Sequence, residues 1–328
     1  MAITIQRVKE TIKVPIEASL GALEQLFIAH DTQLTFAPIF IVAPPRSGST
    51  LLYQLIARYF RVCYFSNTMT RFPGSPVCLA RVLSLIGGCT PPDDYRSEYG
   101  VTEGGGSPTD GTKIWRRWFP DDPQYVGTGV LSGQKIREIR NTVAMLQKSF
   151  RAPFVSKTQR NNVRILALAE AFPEAKFIRL HRDNIYIVQS ILRAIRNEGH
   201  NLWFSARPSR YKEIASEDIV EHVCEQIHYL KEDVDRDSKA VGLDRFLDLD
   251  YEELCRDPIK VMASISSFYE KGPSLGVLRR RNDIPTSFRQ SSKLHLSDDE
   301  VRQIERYLEH LGTKPRDSAG SEQRTGPD

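Results

Sequence analysis

Residues 43–50, with the sequence APPRSGST, carry the clearest chemical pattern in the chain. They follow the short apolar run IFIV and precede a new apolar stretch, so a strand should lead into the loop and a helix should begin near Gly48. Backbone N–H groups at the start of a helix can form a nest for an anion, and the helix dipole favours negative charge there. The loop is therefore predicted to bind an anionic group such as a phosphate.

The loop departs from the nucleotide-binding pattern G-x-x-x-x-G-K-[ST] at the lysine. Ser49 occupies that place, and a cation stands earlier in the loop, at Arg46. No predicted apolar strand ends in an aspartate that can be assigned as the magnesium ligand. These differences favour a different ligand and a reaction without a metal, while a phosphate-loop kinase that uses ATP and magnesium and a noncatalytic nucleotide-binding module remain alternatives.

A second candidate anion site lies in KFIRLHRDNIYIVQS, where Arg182 follows a predicted strand and Ser190 comes eight residues later in a predicted helix. An arginine at the carboxyl end of a strand points into the crevice where open α/β sheets bind ligands. Its planar fork can hold a phosphate through two N–H groups, and the Ser190 hydroxyl could add a third contact. The alternative is a solvated ion pair with Asp183.

These two segments resemble the sulfotransferase family, whose donor is 3′-phosphoadenosine 5′-phosphosulfate (PAPS). PPRSGST resembles its 5′-phosphosulfate loop, and Arg182 with Ser190 resembles its 3′-phosphate site, although Asn184 stands where proline is usual. FVSKTQRNNVRILALAEAFPEAKFI and LDLDYEELCRDPIKVMASISSFY resemble two further strand–helix units in the same order. The resemblance covers about residues 38–66 and 153–270.

The resemblance implies metal-independent transfer of a sulfuryl group from PAPS to an acceptor hydroxyl. We expect a carbohydrate or small-molecule acceptor, because the sequence lacks the membrane and secretory signals that members acting on secreted glycans and proteins usually carry. It implies that Arg46 stabilises the transferred group and that Lys157 neutralises or protonates the bridging oxygen. The family also supplies an arginine from a C-terminal loop, for which Arg289 is the candidate and Arg279, Arg280 and Arg281 are competitors. The alternative is a solvated basic loop. The implied donor-binding residues are Arg46, Ser47, Gly48, Ser49, Thr50, Leu51, Arg182, Ser190 and Arg289.

The general base for the acceptor hydroxyl does not follow from the resemblance. Gln159 stands where some members have a histidine, and YFSNTMTRF contains no acid where others have a glutamate. The long Gly- and Pro-rich loop before KIWRRWF supplies Asp110 as the first candidate and Glu103 as the second, with Glu98 nearby. The alternative for each is a solvated loop carboxylate.

Composition limits the other classes of function. The 328 residues are 40% apolar and 26% charged, as in ordinary globular proteins, and the net charge of +4 without a basic run argues against nucleic acid as a partner. Five scattered cysteines argue against a disulfide framework or a zinc site and favour a reducing compartment. With no apolar signal or membrane span in the sequence, we expect a cytoplasmic protein. The oligomeric state is not predicted.

Alternating strand and helix patterns predict an α/β protein with three α/β/α layers and a central, mainly parallel sheet. The resemblance implies the phosphate-loop NTPase-like fold of sulfotransferases. We expect one domain over 1–312, an acceptor-side insertion over 67–152 and a disordered tail over 313–328. The predicted strands are 39–42, 153–157, 176–180 and 245–250. The predicted helices are 132–150, 161–172, 184–197, 217–240, 258–269 and 297–311, and a weakly patterned region over 61–122 contains a loop rich in Gly and Pro.

Overall fold

The computed structural model describes residues 19–28, 32–87, 89–91, 94–97, 100–199, 205–214, 216–271, 277–290 and 293–313. Within them the strands are β1 (Ile39–Val42), β2 (Val155–Lys157), β3 (Lys176–His181) and β4 (Phe246–Asp250). The α-helices are α1 (19–28), α2 (Ser49–Tyr59), α3 (Asn67–Arg71), α4 (Pro76–Leu85), α5 (Thr112–Trp115), α6 (Gly133–Phe150), α7 (Ile165–Ala171), α8 (Asn184–Glu198), α9 (Ile219–Val241), α10 (Tyr251–Arg256), α11 (Pro258–Glu270) and α12 (Asp298–Thr313). The tail beyond residue 313, predicted to be disordered, lies outside the described residues.

The four strands form one parallel sheet in the order β2-β1-β3-β4. All four residues of β1 are buried, as expected for a strand covered on both faces of a parallel sheet. Phe40 of β1 packs against the rings of Phe172 and Phe177, 5.5 and 5.7 Å away between centroids. The predicted α/β architecture with a central parallel sheet is confirmed.

Parallel pairing places the carboxyl ends of all four strands at one edge of the sheet. The loop after β1, the last residue of β2 at Lys157, Arg182 after β3 and Tyr251 after β4 therefore come to the same edge. Residues more than 200 positions apart in the chain can thus contribute to one site.

A second group of apolar side chains positions α8 beside that edge. Ile187 and Ile191 of α8 belong to a buried cluster with Val223 and Ile227 of α9 and Ile304 of α12. Because this face of α8 is taken up by packing, the opposite face remains available to line a site.

The structure adds two details to the sequence prediction and corrects one. The weakly patterned region 61–122 contains α3, α4 and α5. The predicted helix over 161–172 instead begins as a 3₁₀ turn (Gln159–Val163). The side chains of Asn161 and Asn162 hold this turn by donating hydrogen bonds to the carbonyl groups of Ile41 and Ala43, within and just after β1. A short helix, α10, also separates β4 from α11.

Two further observations concern the expected class of protein. No helix among the described residues is long and apolar enough to cross a membrane. All five cysteines are buried and none forms a disulfide.

Candidate active site

A cavity of about 770 Å³ opens at the carboxyl edge of the sheet. Its lining includes the loop after β1 and the start of α2, the loop with Ser97, Gly100 and Asp110, the end of β2, one face of α8, the start of α10 and 293–296. Asp110 is the only carboxylate among the described lining residues, so the lining is strongly cationic. The cations are Arg46, Lys157, Arg182, Arg193, Arg196 and Lys293.

The start of α2 has the backbone that an anion nest needs. Gly48 precedes the helix with φ at 89°, in the left-handed region that favours glycine. Within the part of the chain that the structure describes, no side chain caps this helix, and the first N–H groups of any helix lack partners inside it. Ser49, Thr50 and Leu51 follow and line the cavity. This end of the cavity can therefore bind an anion through backbone N–H groups.

Direct hydrogen bonds join the two predicted anion sites. Arg46, with φ at 64°, donates from Nε to Ser190 Oγ at 2.9 Å. Arg182 in turn donates from NH1 to the Arg46 carbonyl oxygen at 2.9 Å. Segments separated by more than 130 residues therefore form one continuous binding surface rather than two separate sites.

Lys157 and Asp110 form an ion pair on the wall of the same cavity. Lys157 Nζ lies 2.9 Å from Asp110 Oδ1, and the lysine side chain is only 3% exposed while the aspartate is 32% exposed. A methyl group built at Gly100 would lie 3.7 Å from Lys157 Nζ and 3.6 Å from Thr50 Oγ1. The buried ammonium group thus lies between the start of α2 and the glycine-rich loop, with the carboxylate toward the open side.

Three of the predicted site residues lie elsewhere. Ser47 is fully buried and does not line the cavity. Glu103 lies at a separate, shallower hollow of about 520 Å³, together with Arg71 and Lys113. Arg289 is exposed and is not part of the cavity lining. Glu98 lies outside the described residues.

Several lining residues were missed from the sequence. Tyr186, Gln189 and Arg193 lie four, seven and eleven positions after Arg182, which is the spacing of one helix face, so this pattern could have revealed them. Tyr251 and Lys293 carry no such local signal. They reach the cavity only through the fold.

The comparison with protein families shows to which family the chain belongs. The model of the sulfotransferase family matches residues 38–270. This chain belongs to the sulfotransferase family. The family assignment and the parallel α/β fold support an enzyme that transfers a sulfuryl group.

Solved sulfotransferase structures share the fold of this sulfotransferase. Sulfotransferase STF1 from Mycobacterium tuberculosis H37Rv has a TM-score of 0.53 at 14% identity, covering 90% of this chain and 79% of that one. Sulfotransferase STF9 from Mycobacterium avium has a TM-score of 0.50 at 18% identity, covering 87% of this chain and 70% of that one. No curated protein sequence matches the chain. At these identities, the structural similarity establishes the fold alone.

The predicted metal independence of the sulfotransferase stays a prediction. Among the described residues, no group of three or more His, Cys, Asp or Glu side chains could hold a metal ion.

Proposed function

We propose that this sulfotransferase takes its sulfuryl group from PAPS and transfers it to a hydroxyl of a carbohydrate or small molecule, in the cytoplasm. The observation that carries the donor assignment is the direct contact of Arg46 with both Arg182 and Ser190. The ribose of PAPS carries two anionic groups, a phosphate at the 3′ position and a phosphosulfate at the 5′ position. A single cavity with two adjoining cationic sites is complementary to such a ligand.

In this proposal, the start of α2 and Arg46 bind the 5′-phosphosulfate, and Arg182 with Ser190 binds the 3′-phosphate. From the C-terminal segment, Lys293 rather than Arg289 supplies a further cation, because Lys293 lines the cavity and Arg289 does not. Removing one positioned donor from a site of this kind typically lowers the rate by about 10²- to 10³-fold.

Lys157 and Asp110 are the proposed proton-handling residues. During in-line transfer, the acceptor oxygen forms a bond to sulfur while the bond between sulfur and the bridging phosphate oxygen breaks. Asp110 accepts the proton of the acceptor hydroxyl, and Lys157 neutralises or protonates the bridging oxygen that leaves. Their 2.9 Å contact keeps both groups on the same wall of the cavity before substrates bind.

We propose that region 67–152 forms the acceptor side of a single domain. Two observations support this: Asp110 pairs with Lys157, and Gly100 approaches both Lys157 and Thr50. Ser97 from the same region also lines the cavity. Exchange of this region for that of another family member should change acceptor preference while donor affinity stays the same.

The donor assignment is tested by calorimetry with adenosine 3′,5′-bisphosphate, the product left after transfer. We expect binding in the presence of EDTA and without magnesium, and we expect Arg182→Ala to weaken it by about 10- to 100-fold, since a charge-assisted contact to phosphate is lost. Arg302→Ala is the matched control, because Arg302 is an exposed arginine of α12 paired with Asp299.

Two outcomes would favour the alternatives. Binding of ATP with magnesium, and none of the bisphosphate, would indicate a phosphate-loop kinase. Binding of the bisphosphate without turnover of PAPS on any acceptor in a broad screen would indicate a noncatalytic module.

Asp110→Asn tests the assignment of the base. The amide cannot accept the proton, so we expect turnover to fall by about 10²- to 10⁴-fold while the Kd for the bisphosphate stays within about threefold. Asp299→Asn, at an exposed carboxylate on α12, serves as the control. If Glu103→Gln abolishes turnover while Asp110→Asn retains it, the roles of the two loop acids are reversed.

A further inference from the structure

Tyr251 lies where the two anion-binding sites meet. It is the first residue of α10, directly after β4; the residue is 7% exposed and lines the cavity. A methyl group built at Gly48 would lie only 2.3 Å from Tyr251 Cδ2, so the ring packs tightly against the loop. The same ring faces the guanidinium of Arg182, whose Cζ lies 4.3 Å from the ring centroid.

The geometry restricts the guanidinium of Arg182 on more than one side. Tyr251 covers it at 4.3 Å, and the ring of Tyr186 lies 5.6 Å from the same Cζ atom. One of its N–H groups is already committed to the Arg46 carbonyl. Because a guanidinium is planar and carries its five donors in that plane, contacts with two aromatic rings restrict the directions in which those donors can point.

We propose that Tyr251 is a positioning residue that holds Arg182 in the orientation needed to bind the 3′-phosphate of the donor. Tyr251 thereby determines the preference of the enzyme for 3′-phosphorylated over 3′-unphosphorylated adenosine nucleotides. This inference rests on the proposed function. It assigns the selectivity to a residue that follows β4, outside both anion-binding motifs of the sequence.

Two substitutions at Tyr251 distinguish the effect of the aromatic ring from the effect of side-chain bulk. Tyr251→Leu keeps an apolar side chain against Gly48 but removes the aromatic face, whereas Tyr251→Phe keeps the face. Calorimetry with adenosine 3′,5′-bisphosphate and with adenosine 5′-phosphate measures the selectivity of each variant. We expect Tyr251→Leu to weaken bisphosphate binding by about 5- to 30-fold and 5′-phosphate binding by no more than about twofold. Tyr251→Phe should retain both affinities.

A double-mutant cycle with Arg182→Ala shows whether Tyr251 acts through Arg182. In the Arg182→Ala protein, Tyr251→Leu should cause no further loss of bisphosphate affinity. The inference is overturned if the two losses add, if Tyr251→Leu keeps the wild-type selectivity, or if it weakens both nucleotides equally, as a general disturbance of the site would.

The same calorimetry distinguishes a wrong proposed function from a wrong inference about Tyr251. If the wild-type protein does not prefer the bisphosphate over the 5′-phosphate, the donor assignment is wrong, and the inference about Tyr251 is rejected with it. If the wild type shows the preference and Tyr251→Leu retains it, only the inference is rejected.

Discussion

At the scale of single residues, Gly48 in the predicted anion-binding loop has little room for substitution. Its φ of 89° lies in the left-handed region, where a Cβ atom is unfavourable. The ring of Tyr251 fills the space that a side chain would need. Backbone conformation and packing therefore both require glycine, even though the loop lies at a ligand site.

Gly48→Ala should destabilise the protein by about 2–5 kcal/mol, because the left-handed conformation costs about 1–2 kcal/mol and the overlap with Tyr251 about 1–3 kcal/mol. Urea unfolding followed by circular dichroism measures the change. Gly74→Ala is the control, since nothing lies within 4 Å of a methyl group built there. Equal stability of the two variants would show that the loop adjusts to a side chain at position 48.

At the scale of secondary-structure elements, α8 connects the proposed donor site to the C-terminal part of the chain. One face of α8 packs against α9 and α12. From the other face, Gln189 donates from Nε2 to the Lys293 carbonyl at 3.0 Å and accepts the His295 N–H through Oε1 at 2.5 Å. Both bonds involve the backbone of residues 293–296, so Gln189 fixes the path of this segment along the cavity.

Gln189→Ala should weaken binding of adenosine 3′,5′-bisphosphate by about 3- to 10-fold, because two hydrogen bonds that hold the segment with Lys293 are lost. Calorimetry gives the affinity. Gln134→Ala, at an exposed position of α6, provides the control. An unchanged affinity would mean that residues 293–296 do not depend on Gln189 for their position in the bound state.

At the scale of the whole molecule, a buried polar network on α9 joins distant parts of the chain. Asp233 accepts hydrogen bonds from the backbone and side chain of Ser209, and Asp237 accepts one from Tyr125 Oη at 3.1 Å. Arg236 pairs with both carboxylates at 2.9 Å. Burial, only partly offset by Arg236, raises the pKa of Asp237 from 3.8 to about 6.

This raised pKa predicts how stability depends on pH. The folded protein holds the proton of Asp237 more tightly than the unfolded chain does, so protonation favours folding. The free energy of unfolding should therefore decrease as pH rises from about 4 to about 6, by no more than about 3 kcal/mol from this group. Urea unfolding at half-unit pH steps, for wild type and Asp237→Asn, measures the contribution as the difference in slope.

Asp235→Asn is the control for this measurement, because its carboxylate lies on the same helix but is 58% exposed. The control should keep the wild-type slope between pH 4 and 6, and Asp237→Asn should flatten it. Identical slopes in wild type and Asp237→Asn would show that this carboxyl group does not contribute.

The sequence by itself determined the family, the α/β class and the order of most elements. Strand and helix periodicity depends on neighbouring residues, and the motifs around Arg46 and Arg182 are short and continuous, so both can be recognised locally. The irregular 3₁₀ turn after β2 could not be predicted in this way, because asparagine side chains bonded to carbonyl groups next to and within β1 hold it in place.

Only the tertiary structure decided which of the candidate residues share a cavity. Asp110 and Glu103 are seven positions apart in one loop, yet Asp110 contacts Lys157 while Glu103 lies at another hollow. Tyr251 meets Gly48 and Arg182 because parallel strand pairing brings the ends of β1, β3 and β4 together. Such contacts depend on the path of the chain between distant residues, which no local pattern encodes. The predicted anion-binding loop, by contrast, could be recognised from eight consecutive residues.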